Sequence, residues 1–175
     1  VGSVSLACLS CHDGTQAMDV VINSPGSNGY NAAGAEVDPT AIGAMTGTPV
    51  PNLGTDLTDD HPVSMTYGGG GPAATDPDGT FTGTLGDSDF VAPVKATINT
   101  NSPIWWVDSP VGTAGTREKS DMILYARNDL GTVQPFVECG SCHDPHNDTT
   151  QGQGSVAFLR INNTASQICT TCHVK

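Results

Sequence analysis

Apolar positions along this chain are sparse and come in short bursts. Thr80 to Leu85 and Val94 to Ile98 alternate weakly between apolar and polar positions and predict short strands. Arg117 to Asp129, centred on Met122, Ile123 and Leu124, predicts the best helix, and Val156 to Ile161 a short extended segment. Ser3 or Ser5 is placed to cap a helix near the start, and Asn163 or Thr164 to cap a last one. Trp105 and Trp106 are adjacent and predict a hydrophobic cluster. Between residues 23 and 90 the pattern dissolves into Gly, Pro, Asp, Thr and Ser, including Gly68-Gly69-Gly70-Gly71-Pro72. Turns are expected there at Asp78-Gly79 and Gly86-Asp87.

Composition deepens the impression of a weak core. Leu, Ile, Val and Phe supply 34 of 175 residues, while Gly and Pro supply 21 and 12. So few large apolar side chains, with a net charge of −12, fall in the range of chains that do not fold unaided. Six basic residues against eighteen acidic ones give no cationic surface for nucleic acid. The same charge opposes adsorption to an anionic membrane, and no apolar run is long enough to insert in one. No leader is visible at Val1, so if the protein is exported the chain is expected to be its mature form. Asn147-Asp148-Thr149 and Asn162-Asn163-Thr164 have the glycosylation spacing, which chance also produces often.

The cysteines change the picture. Cys8 and Cys11, Cys139 and Cys142, and Cys169 and Cys172 form three pairs with two residues inside each. Pairs alone suit disulfides or a zinc ribbon. Here His12, His143 and His173 directly follow the second cysteines, although only five of the 175 residues are His. Cys-x-x-Cys-His is the attachment string of c-type haem. Two thiols at that spacing reach the two vinyl groups of one porphyrin, and the next His lies under its iron. The expected cofactors are therefore three covalently attached c-type haems, with no cysteine left for a disulfide.

His61 and His146 are then the candidate distal ligands, because three irons each offer a second axial position. His146 follows His143 by three residues, too close to reach the opposite face of the same haem. It is expected to ligate a different haem, which would pack the two nearly in contact. Five His cannot fill six axial positions. The sixth falls to Met18, Met45, Met65 or Met122, to another ligand, or stays open. Asp76-Pro77-Asp78-Gly79 and Asp56 to Asp60 have carboxylates at calcium-loop intervals without a closing Glu, so calcium is not expected. No Arg, Lys or Tyr cluster marks a pocket beside a haem site along the sequence, which argues against a reductase.

These strings resemble exported multihaem c-type cytochromes with doubled Cys-x-x-Cys-His motifs. The resemblance is carried by Leu6 to Gly14, by Asp60-His61-Pro62-Val63-Ser64, by Val137 to His146, by Phe158-Leu159-Arg160 and by Ile168 to His173. It implies His61 as a distal ligand and a site of action outside the cytoplasm, extracellular or at the cell surface, with the periplasm as the alternative. Some such proteins polymerise head-to-tail into conducting filaments, which haem motifs at 8–12 and 169–173 would suit. The expected fold is mostly irregular coil with a few short helices and strands, one domain over residues 1–175, wrapped around a row of haems. The expected activity is electron transfer without substrate chemistry. The expected partners are other copies of the chain and other redox proteins or extracellular acceptors.

Overall fold

The computed structural model describes residues 1–13, 15, 32–34, 53–147 and 158–174. Chain contacts divide it into two compact units, Leu6–His61 and Val1–Ser5 with Pro62–Lys175. Helix α1, Ser3–His12, begins in the larger unit and carries the first haem motif into the smaller one.

The expectation of mostly irregular coil is overturned, because the larger unit is built on a six-stranded antiparallel sheet. Its strands are β1 (Met65–Thr66), β2 (Gly79–Thr80), β3 (Val94–Ile98), β4 (Ser102–Val107), β5 (Met122–Asp129) and β6 (Thr132–Val137). The order is β1-β6-β5-β4-β3-β2, a meander from β3 to β6 with a two-residue strand at each edge. The chain has few aromatic residues, but these four central strands combine aromatic with β-branched ones, which suits a pleated half-buried surface.

The predicted helix over Arg117 to Asp129 is in fact a turn followed by β5. Asp121 closes the turn by accepting the Ser109 and Glu118 N–H groups at 2.9 and 2.6 Å. Met122, Ile123 and Leu124 are then buried in succession because β5 lies inside the sheet and both its faces are covered. Such a run cannot be told from a buried helix by periodicity. Val94 to Ile98 is a strand as expected, whereas only Thr80 of the Thr80 to Leu85 segment is in one.

Trp105 and Trp106 point to opposite faces, as neighbours in a strand must. Trp105 joins Tyr67, Val107, Met122, Leu124 and Ile161 in one core cluster. Trp106 joins Val94 and Ile123 in a smaller cluster on the other face. The glycine run has a structural role: Gly68 to Gly71 all take positive φ, from 57° to 125°. That conformation lets Gly70 and Gly68 carbonyls accept the N–H groups of Gly86 and Asp87 at 3.0 and 2.8 Å. At Asp76 to Gly79, where calcium is not expected, the ammonium of Lys95 donates to the Asp76 carbonyl and pairs with Asp78. The predicted caps differ too. Ser5 spends its hydroxyl on Glu138, and Ser166 occupies the N-cap of the last helix without a side-chain bond. Asn162 accepts Thr164 N–H at 2.8 Å just upstream.

No helix among the described residues is long and apolar enough to cross a membrane.

Candidate haem-attachment sites

The second Cys-x-x-Cys-His motif follows β6 directly. Helix α2, Cys139–Cys142, is a single turn. Glu138 precedes it, and its N–H is satisfied by the Ser141 hydroxyl at 2.9 Å. The Glu138 carboxylate is 1% exposed yet fully partnered. It accepts from the Ser5 hydroxyl at 2.5 Å, the Ser64 hydroxyl at 2.8 Å and the Arg127 guanidinium at 3.0 Å. Burial on its own would raise the carboxyl pKa, but the hydrogen bonds of Ser5, Ser64 and Arg127 and the Arg127 charge outweigh it. The net result is a pKa below the ordinary glutamate value. Ser5 also accepts the Cys139 N–H at 3.0 Å, so one residue of α1 grips both ends of the Glu138-Cys139 step.

The third motif sits on α3, Gln167–Cys172. Both helices stop at the second cysteine, and both histidines leave in the same extended conformation. His143 has φ −106° and ψ 135°, and His173 has φ −107° and ψ 132°. In each, the His N–H returns to the first cysteine's carbonyl, at 3.1 Å for His143 and 2.9 Å for His173.

A short antiparallel bridge then fixes each histidine. Leu159 lies opposite His143, and Phe90 lies opposite His173. The flanking bonds are equivalent. Arg160 N–H reaches the Cys142 carbonyl at 2.9 Å and Asp144 N–H the Phe158 carbonyl at 2.8 Å. Likewise Val91 N–H reaches the Cys172 carbonyl at 2.9 Å and Val174 N–H the Asp89 carbonyl at 2.8 Å. Two motifs from different parts of the sequence thus share one backbone frame.

The frames differ in side chains. At the second motif the Arg160 guanidinium donates twice to the Gly140 carbonyl, at 3.1 and 3.0 Å, and lies 3.5 Å from the Asp144 carboxylate. At the third motif the Phe90 ring packs on the His173 imidazole, and the Tyr67 hydroxyl donates to the Val91 and Cys172 carbonyls at 2.8 and 3.2 Å. Cys142 and Cys172 both pack against the Trp105 cluster, so the two motifs share one core. Burial is the main cause that pushes the Cys142 thiol up to about 11 and the Cys172 thiol up to about 12; neighbouring thiols act in the same direction, and Arg160 at Cys142 and Tyr67 at Cys172 act against it.

This donor set fits haem. Cysteine thiols one helical turn apart, with an adjacent extended histidine, are the groups that thioether attachment and axial ligation need. None of the six cysteines is in a disulfide. Among the described residues no three His, Cys, Asp or Glu gather into a metal-holding group. The four cysteines of α2 and α3 therefore lack the convergence of a zinc ribbon.

The first motif is built otherwise. Cys8, Cys11 and His12 lie on α1, which runs through His12 itself. The His12 carbonyl accepts Leu53 N–H at 2.7 Å within the smaller unit. His61 is exposed at the end of that same unit. His146 is exposed in a turn after His143, its N–H accepted by Asp144 at 3.0 Å. Of the methionines, Met122 is 1% exposed in the Trp105 cluster and Met65 is exposed on β1. Met18 and Met45 lie outside the described residues, as do parts of Val156 to Ile161 and of the Asn147 glycosylation triplet.

The sequence reading missed the supports. Glu138 and Arg160 stand within recognised strings, but Glu138's partners Ser5, Ser64 and Arg127 and Arg160's partner Lys119 are remote in sequence. It also missed a basic cluster: Arg117, Lys119 and Arg160 line one cleft with His146, so the expectation of none beside a haem site is corrected. Residues 134–175 match the family described as Doubled CXXCH motif, a stretch holding the second and third motifs. No curated protein and no solved structure matches the chain. The match covers about a quarter of the chain and supports a c-type-cytochrome-like multihaem protein with covalently bound haem.

Proposed function

We propose that the chain is a trihaem c-type cytochrome that passes single electrons outside the cytoplasm and does no chemistry on a substrate. The observation that carries this reading is the matched pair of frames at Cys139–His143 and Cys169–His173, with Cys142 and Cys172 on one core. Haem held there supplies reversible one-electron exchange at iron. The chain's own part is to fix the group by two thioethers, orient the proximal imidazole through the extended frame, and bury the second cysteine of each motif. His12 is the proximal ligand of the first haem, and His61 and His146 are the distal ligands available to three irons. A pyridine haemochrome assay on the purified holoprotein should give three haems per chain, and fewer would refute the trihaem reading.

The finer form of this proposal is a head-to-tail polymer of the chain that acts as a conducting filament. It is supported by the family resemblance and by the separation of the first motif from the other two in sequence. Electron microscopy of the holoprotein should show filaments, and only monomers at high concentration would remove the polymer. A reductase is the second reading, favoured by the ligand shortfall and by the basic cleft beside His146. A high-spin absorption band would support it, and three low-spin haems would remove its open iron.

A further inference from the structure

A cleft of about 790 Å³ opens on the larger unit, lined by the Arg117 to Ser120 segment together with Asp144, His146 and Arg160. Its volume is in the range of small-molecule sites. Three of the chain's six basic residues, Arg117, Lys119 and Arg160, meet there in a protein with eighteen acids.

The carboxylates at the cleft are already committed. Glu118 accepts Thr113 N–H at 3.1 Å. Asp144 accepts His146 N–H at 3.0 Å and faces Arg160 at 3.5 Å. Arg160 is spent on the Gly140 and Lys119 carbonyls. Lys95 and Arg127 are ion-paired elsewhere. Arg117 and Lys119 are the exception. Both are exposed, and neither side chain has a hydrogen-bond or ion-pair partner among the described residues. Two unneutralised cations two positions apart repel each other. Their cost falls when a multiply charged anion sits between them.

We propose that this cleft binds a carboxylate-bearing anion through Arg117 and Lys119, next to the His146 imidazole. The carboxylates have two possible sources: the propionates of a haem whose iron takes His146, which rests on the cytochrome reading, or a soluble polycarboxylate that docks from outside.

The test uses the holoprotein, its haem content measured first so that failure of the cytochrome reading is seen independently. Citrate is the probe, titrated calorimetrically at low ionic strength. The variant R117Q/K119Q is compared with N99D/N101D, which shifts the net charge by the same two units in the exposed β3–β4 loop. An external site predicts citrate binding that weakens at least about tenfold in R117Q/K119Q and stays unchanged in N99D/N101D. A propionate site predicts no citrate binding and a fall of one haem's midpoint potential in R117Q/K119Q but not in N99D/N101D, because cations beside a propionate oppose oxidation. No citrate binding, with equal potentials in the two variants, overturns the proposal.

Discussion

The ring of Phe90 lies 4.4 Å from the imidazole of His173, centroid to centroid and tilted by 52°. Tyr67 meets the other side of Phe90 edge-on at 5.2 Å. At His143, Leu159 stands in the equivalent backbone position. Phe90 is thus a packing element against the imidazole of the third motif's histidine. Phe90→Ala should lower stability by about 2–3 kcal/mol, since the ring is partly buried. It should also broaden one low-spin electron paramagnetic resonance signal of the holoprotein. Phe90→Leu should recover most of the stability and leave the signal broadened. An unchanged signal in both would show that the ring only fills space.

Glu138 ties Ser5, Ser64 and Arg127 to the start of α2. Glu138→Gln should cost about 1–3 kcal/mol at neutral pH, read from thermal or denaturant melts. Its folded pKa lies below the ordinary value of 4.5. The carboxylate therefore contributes fully above the unfolded pKa, and the contribution fades as pH falls through the folded value. The gap between wild type and Glu138→Gln should narrow on acidification below pH 4.5. A gap independent of pH would show that the loss is steric.

The two-residue β5–β6 turn places Leu130 at φ 48° and Gly131 at φ 91°. This is the type I′ geometry, which favours Asn or Gly at the first position and penalises a leucine. Leu130 is fully exposed and gains nothing from packing. Leu130→Asn should raise stability by about 1 kcal/mol, seen as a higher melting temperature with haem content unchanged.

Removing the thiols should subtract haems in unit steps. Cys139→Ala with Cys142→Ala, and Cys169→Ala with Cys172→Ala, should each lower covalent haem by one per chain by mass spectrometry. Both variants should also destabilise the larger unit, because Cys142 and Cys172 each pack on the Trp105 cluster. Unchanged haem mass in either variant would place the haem elsewhere.

The haem motifs were legible in sequence because thioether chemistry demands that spacing whatever the fold. Val94 to Ile98 was legible because alternation survives there. The sheet as a whole was not, since Met122 to Leu124 is buried on both faces and loses the period that marks a strand. The overall shortage of aliphatic residues also hid their concentration in four strands. Arg117, Lys119 and Arg160 did not look like a cluster because the last stands 41 positions from Lys119. Glu138 reads as one more acid until Ser5, Ser64 and Arg127 close on it.

The two frames also set an order of assembly. The His143–Leu159 bridge joins residues 16 positions apart, whereas the Phe90–His173 bridge spans 83. The longer closure costs about 1.5 kcal/mol more in chain entropy. The loop so closed contains the sheet between residues 94 and 137. The bridge at His143 therefore closes ahead of the one at His173, while the Cys139 end of the second motif still waits for Ser5, 134 positions away.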